Sequence, residues 1–196
     1  MAGPRGEYRK TAERRTQILD AALEVFSKNG YSASSVNEIA RVVGITQTGV
    51  LHHFAGGKMA LLRAVLERRD AAAQGMLEGK HGRDFLKAMV EISRTQRGQR
   101  GVVQLYTILA AEATDPDHPA HEYFTQRFAV IADAVTVAYE QVRADGGLRE
   151  GVDPRRAAIS SLASIEGLQL LWLDGLDVDI AEDSARTISG FLTDPL

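Results

Sequence analysis

The chain has 196 residues, 44% of them apolar and 25% charged, with no cysteine. This is the composition of a folded globular protein, and it excludes a disordered chain, a disulfide scaffold, thiolate metal sites and thiol nucleophiles. The net charge of −3 conceals an asymmetry, because residues 1–80 carry 12 Lys/Arg against 8 Asp/Glu and the rest 11 against 18, so the first part is the one suited to a polyanion.

The first seven residues are polar and lack the apolar core of a secretory signal, and no apolar run approaches the roughly 18 residues of a membrane span. A cytoplasmic location without a membrane partner is the expectation. Residues 1–10 read as a loose arm. From residue 16 onward, Ile18, Ala22, Val25 and Phe26 form one amphipathic stripe, and Asn29-Gly30 ends that helix.

Ser35-Val36-Asn37-Glu38 fits a capping box, in which Ser35 caps the Glu38 amide and the Glu38 side chain reaches back. The short helix that follows stops at Gly44. Thr46 is the next N-cap and opens a second short helix over 47–53. Two short helices joined by a glycine-containing turn make a helix-turn-helix. Gly56-Gly57 breaks the chain, and Lys58 opens a longer helix carrying Leu61, Leu62, Val65 and Leu66.

Further helices are expected over 84–96, 102–113, 121–144, from Asp153-Pro154 to about 172 or 173, and over 180–192. Residues 114–119 form a loop by their turn residues. No strand pattern is evident. The chain therefore reads as all-α with about nine helices: a helix-turn-helix domain over 1–57 (arm 1–10, recognition helix 47–53), a connecting helix over 58–80, and a helical domain over 81–196.

Residues 30–62 resemble the DNA-binding domain of the TetR family of bacterial transcriptional regulators. The features that carry the resemblance are Gly30-Tyr31, Ser34-Ser35-Val36, Ile39-Ala40, Gly44-Ile45, His52-His53-Phe54 and Lys58 with Leu61-Leu62. The resemblance implies an N-terminal three-helix DNA-binding domain and a C-terminal helical domain for ligand binding and dimerisation. A homodimer would present two recognition helices roughly 34–36 Å apart to a near-palindromic operator. It would act as a repressor released by an unidentified small molecule. The alternative is an architectural or interaction protein with the same head and no ligand.

The first turns of a recognition helix touch base edges in the major groove. Here they hold Thr46, Gln47, Thr48, Gly49, Leu51 and His52. Gln47 has the amide that pairs bidentately with adenine, Thr48 offers a hydroxyl and a methyl, and Gly49 allows close approach. Ser35 and Val36, at a helix N-terminus, suit a phosphate, as does Lys58. Arg9, Lys10, Arg14 and Arg15 are further candidates for the DNA backbone. The sequence departs from the family in having Leu51 where a tyrosine is frequent. It also has one residue more in Ala55-Gly56-Gly57, which changes how Lys58 meets the backbone.

His52 and His53 are adjacent and point about 100° apart on a helix, so they do not share an ion. No catalytic residue, metal or cofactor is assigned, and the chain does not read as an enzyme. For the ligand, the apolar candidates are Phe85, Met89, Tyr106, Phe124, Phe128 and Trp172. In the family, the last two long helices of each subunit pair as a four-helix interface. That implies Leu162, Ile165, Gly167, Leu168, Ile188 and Phe191 as dimer contacts, with Gly167 permitting close approach.

Overall fold

A computed structural model describes the backbone of residues 4–196 and the side chains of residues 9–196. Among these residues there are nine α-helices and no strand beyond one isolated bridge, Leu148 to Leu192. Among the described residues no helix is long and apolar enough to cross a membrane. The chain divides into two units, 1–71 and 72–196.

The first unit holds α1 (Pro4–Ala33), α2 (Val36–Val43), α3 (Gln47–His53) and the greater part of α4 (Gly57–Leu77). The stripe Ile18, Ala22, Val25 and Phe26 is buried, together with Ile39, Ala40, Val50, Phe54, Leu61, Leu62, Val65 and Leu66. These apolar faces are the core, and their removal from water holds the unit together. Two polar links reinforce it: Arg68 donates to Asp20 at 2.8 Å and Asn29 to Glu38 at 2.7 Å.

The expected loose arm is corrected over residues 4–10, which are helical; residues 1–3 lie outside the described residues. Pro4 suits a first turn, and Arg, Glu and Lys are good helix formers, so the helix needs no apolar stripe to extend there. Gly30 breaks α1 at φ +76, ψ 167; residues 31–33 make one further turn, and Ser34 and Ser35 lead into α2.

The second unit holds α5 (Gly82–Gln96), α6 (Arg100–Glu112), α7 (His121–Ala144), α8 (Pro154–Leu173) and α9 (Ile180–Ser189). Its core gathers Leu86, Met89, Val90, Val135, Tyr139, Val142, Ala158, Ile165, Ile188 and Leu192. Asp153 caps α8 through the Arg156 amide at 2.9 Å, with Pro154 at its first turn. Asp179 caps α9 through the Ala181 and Glu182 amides, each at 3.1 Å. The last helix ends at Ser189, three residues before the expected position, and the chain then turns back. Arg149 and Thr193 amides bond the Phe191 and Gly147 carbonyls, at 3.0 and 2.9 Å, closing the tail on the α7–α8 loop.

Candidate nucleic-acid interface

The helix-turn-helix is built by its caps. The Ser35 hydroxyl accepts from the Glu38 amide at 3.1 Å and starts α2. Gly44 ends it at φ +75, where its N–H meets the Ala40 and Arg41 carbonyls. A left-handed conformation of this kind is nearly free only for glycine. Two residues later the Thr46 hydroxyl accepts from the Gly49 amide at 3.1 Å and starts α3. The expected reciprocal half of the capping box is corrected, because the Glu38 carboxylate accepts from the Asn29 side chain. A bond to α1 secures the angle of α2 at the same acceptor.

One residue orients α3. Val50 is 0% exposed and anchors the helix on the core, so Thr46, Gln47, Thr48 and His52 are left exposed. Gly49 and Leu51 are half-buried at the edges of that front. A side chain at Gly49 would meet Thr46 Oγ1 at 3.4 Å and Ile45 beyond, an ordinary contact, so the fold itself tolerates a larger residue there. Glycine keeps this turn of α3 low against anything docked upon it. Ser35 is exposed and Val36 half-buried at the start of α2.

Two cations bond main-chain carbonyls of their own unit, the exposed Arg15 and the half-buried Lys58. Arg15 donates to the His53 carbonyl, one of the acceptors that the end of α3 leaves open, and its guanidinium lies 4.2 Å from the Phe54 ring centroid. Lys58, expected at a phosphate, directs its ammonium to three carbonyls of the α1–α2 turn. The signal for both was absent from the sequence, since their partners lie 24 to 38 residues away. Arg9 and Lys10 are exposed and Arg14 is half-buried. Burial, and then the charges of His52, Arg15 and Arg14, hold the His53 imidazole below its usual pKa. The ring is therefore neutral at neutral pH when nothing anionic is near.

In the second unit the ligand candidates separate into three places. Tyr106, Phe124 and Phe128 form an aromatic cluster. Phe124 lies 5.9 Å from Tyr106 and 6.0 Å from Phe128, and the Tyr106 and Tyr123 hydroxyls are 3.2 Å apart. Phe85 and Met89 join the main core. Trp172 lies at the end of α8 under the Arg100 guanidinium, 5.1 Å from its ring centroid. Of the six, only Trp172 borders the crevice of ≈ 30 Å³ between Ser93, Arg97, Val178 and Ile180. That volume holds about two waters.

The expected dimer contacts also divide. Ile188 is 0% exposed and Ile165 belongs to the same core, so neither has surface to offer a second copy. Phe191 and Leu162 pack against that core too, Phe191 edge-on to Tyr139 at 6.0 Å. Ile165 and Ile188 thus pack within their own unit. Gly167 is exposed and Leu168 half-buried. The outer residues of the same helix, Ile159, Leu170 and Leu171, remain 45%, 49% and 40% exposed. Val130 and Val137 of α7 are likewise exposed.

A family model described as "Bacterial regulatory proteins, tetR family" matches residues 18–65, the helix-turn-helix just described. The chain is 35% identical over 94 residues to the HTH-type transcriptional regulator UidR of Escherichia coli (strain K12). That match covers 45% of this chain and 47% of UidR, so it spans about half the length of that relative. A longer match, 30% identical over 166 residues, is to the HTH-type transcriptional repressor Rv1474c of Mycobacterium tuberculosis (strain ATCC 25618 / H37Rv). It covers 75% of this chain and 88% of the relative. Among solved structures, a SmeT–triclosan complex is similar at TM-score 0.78 and 22% identity, with 93% of each chain covered. SmeT is the repressor of a Stenotrophomonas maltophilia multidrug efflux pump, and at this identity the likeness concerns the fold. The helix-turn-helix, the family match over it and the long match to Rv1474c together place the chain in the TetR family of bacterial regulatory proteins, a family of transcriptional regulators and not of enzymes.

Proposed function

We propose that the protein is a homodimeric DNA-binding repressor whose second unit takes a small molecule that releases the operator. The observation that carries the DNA reading is the exposed polar front of α3 above a buried Val50. Gln47 and Thr48 read base edges from this front, with Thr46, Gly49, Leu51 and His52 around them. Ser35 and Val36, at the start of α2, meet a phosphate through hydroxyl and amide.

The dimer reading is supported by the outer face of α8. Ile159, Leu170 and Leu171 are large apolar groups left in water, and Gly167 between them has no heavy atom within 4 Å of where a Cβ would stand. A second copy of α8 can approach closely there and cover that surface. With two heads on a two-fold axis, the matching operator is near-palindromic. A ligand acts only through a difference in affinity between the DNA-competent and incompetent states, and a tenfold release needs about 1.4 kcal/mol.

The packing of Phe124 on Tyr106 and Phe128 favours a second reading, an architectural protein that uses the same head without a ligand. A ligand in that region would have to part rings that already fill one another's space. The deciding experiment is fluorescence anisotropy on DNA flanking the protein's own gene, against shuffled DNA, across a salt series. Selective binding at two subunits per site supports the regulator. Equal, weak binding to both DNAs, repeated on fragments selected from the whole genome, would sink it.

A further inference from the structure

Lys58 is the second residue of α4, and its ammonium sits where the chain leaves α1. Its Nζ donates to the carbonyls of Tyr31 at 2.8 Å, Ser34 at 2.9 Å and Ser32 at 3.2 Å. An ammonium has three N–H donors and no acceptor, so all three are in use. The same nitrogen lies 4.3 Å from the Tyr31 ring centroid, a favourable place for a cation.

The carbonyls around a helix end need donors from outside the helix ladder, and the Tyr31 carbonyl also accepts from the Ser34 amide at 3.2 Å. Gly30 breaks α1, the Ser34 hydroxyl takes the Gly30 carbonyl at 2.5 Å, and Lys58 takes the ones that follow. The partial negative charge of such an end holds a cation in place. The inserted glycine supplies the direction. Gly57 opens α4 at φ +63, a conformation that favours glycine, and the residue immediately after it is Lys58.

We propose that Lys58 is a positioning residue of the DNA-binding unit: it holds the α1–α2 turn against the start of α4 and does not donate to a DNA phosphate. The proposal rests on the reading of this unit as the DNA-binding one. Ser34, whose carbonyl Lys58 holds, directly precedes Ser35, the cap of α2. The clamp therefore sets the direction in which α2 leaves, and α2 carries the turn into α3. A lysine gripping a phosphate would have to abandon three acceptors for one ligand.

The test uses the full-length protein with a duplex enriched from a random pool by the wild type, and a shuffled duplex of the same composition. Wild type, K58M and K58R are compared by anisotropy across a salt series, with circular dichroism as the check of folding. On the enriched duplex, K58M is expected to lose about tenfold in affinity, roughly the effect of one misplaced base contact. Its affinity for the shuffled duplex and its slope of log affinity against log salt stay those of the wild type. K58R does not rescue, because a planar guanidinium cannot aim three donors at three converging carbonyls.

The proposal is overturned if K58M shows a slope shallower by about 0.9 per lost phosphate contact while K58R restores slope and affinity. Wild-type selectivity in K58M overturns it as well. If K58M does not fold, K58R decides: lost selectivity at an unchanged slope supports the clamp, and wild-type selectivity overturns it. A wild type that enriches no sequence defeats the DNA reading and the role of Lys58 with it. A changed slope with intact enrichment defeats the role of Lys58 alone.

Discussion

The Thr46 hydroxyl accepts a 3.1 Å hydrogen bond from the Gly49 amide, so one threonine both starts α3 and stands at its exposed front. The two roles come apart by substitution. Thr46→Ala removes the cap and is expected to destabilise the first unit by about 1 kcal/mol. Thr46→Asp keeps a capping oxygen but places a negative charge before the phosphates. It should melt like the wild type and bind DNA far more weakly. Thermal melting beside anisotropy reads both, and an aspartate variant with wild-type affinity would remove Thr46 from the interface.

Gln47 has no structural duty in the unit: it is exposed at the first turn of α3, and Val50 anchors the helix without it. Gln47→Ala should leave the melting temperature within a degree or two, because surface changes of this kind stay within about 0.5 kcal/mol. On a specific site it should weaken binding by about 1–3 kcal/mol and relax one base position in each half-site. Selection from a random pool with the variant checks this, and an unchanged consensus would show that Gln47 reads no base.

The outer face of α8 gives a similar separation. Gly167 meets nothing within 4 Å of its missing Cβ, so the subunit accommodates a leucine there and gains about 1 kcal/mol in helix propensity. Between two copies the same leucine would hold the helices apart. Gly167→Leu should therefore fold and yet populate the monomer, as should Leu170→Glu, which puts a charge into an apolar contact. Light scattering over a dilution series distinguishes the cases, and two variants that stay dimeric would move the interface off this face.

What was legible in the sequence followed from local chemistry. Ser35, Thr46 and Asp153 announce helix starts by side chains that accept from an amide three residues on, and Gly44 and Pro154 mark a helix end and start by their backbone conformation. The stripe from Ile18 to Phe26 names its own buried face. What was not legible depends on distant partners. The polar stretch over 4–10 extends α1 without an apolar stripe to reveal it. Lys58 after two glycines gives no sign of carbonyls 24 to 27 residues earlier. Ile188 shows a period that points inward, but the period does not say whether inward means its own subunit or a second one. Because α8 is apolar around much of its circumference, Ile165 and Leu170 are alike in sequence although one is core and the other surface.

Tyr139 makes a pH dependence of the second unit testable. Its side chain is 0% exposed and its hydroxyl lies 2.8 Å from Ser161 Oγ, which in turn donates to the Ala157 carbonyl at 2.8 Å. Burial disfavours the phenolate and pushes the pKa from 10.0 up to about 12, and the bond to Ser161 offsets this only in part. Between those values the unfolded chain has lost the proton and the folded chain keeps it. The stability this contributes is thus complete below pH 10 and is lost as the pH rises toward about 12. Tyr139→Phe removes the titration and leaves Ser161 its acceptor on Ala157. It should cost about 1 kcal/mol at pH 8, and the difference from the wild type should close as the pH rises past 10. Urea midpoints measured from pH 8 to 11.5 carry the test. Two curves that stay parallel throughout would show that another group governs the alkaline limb.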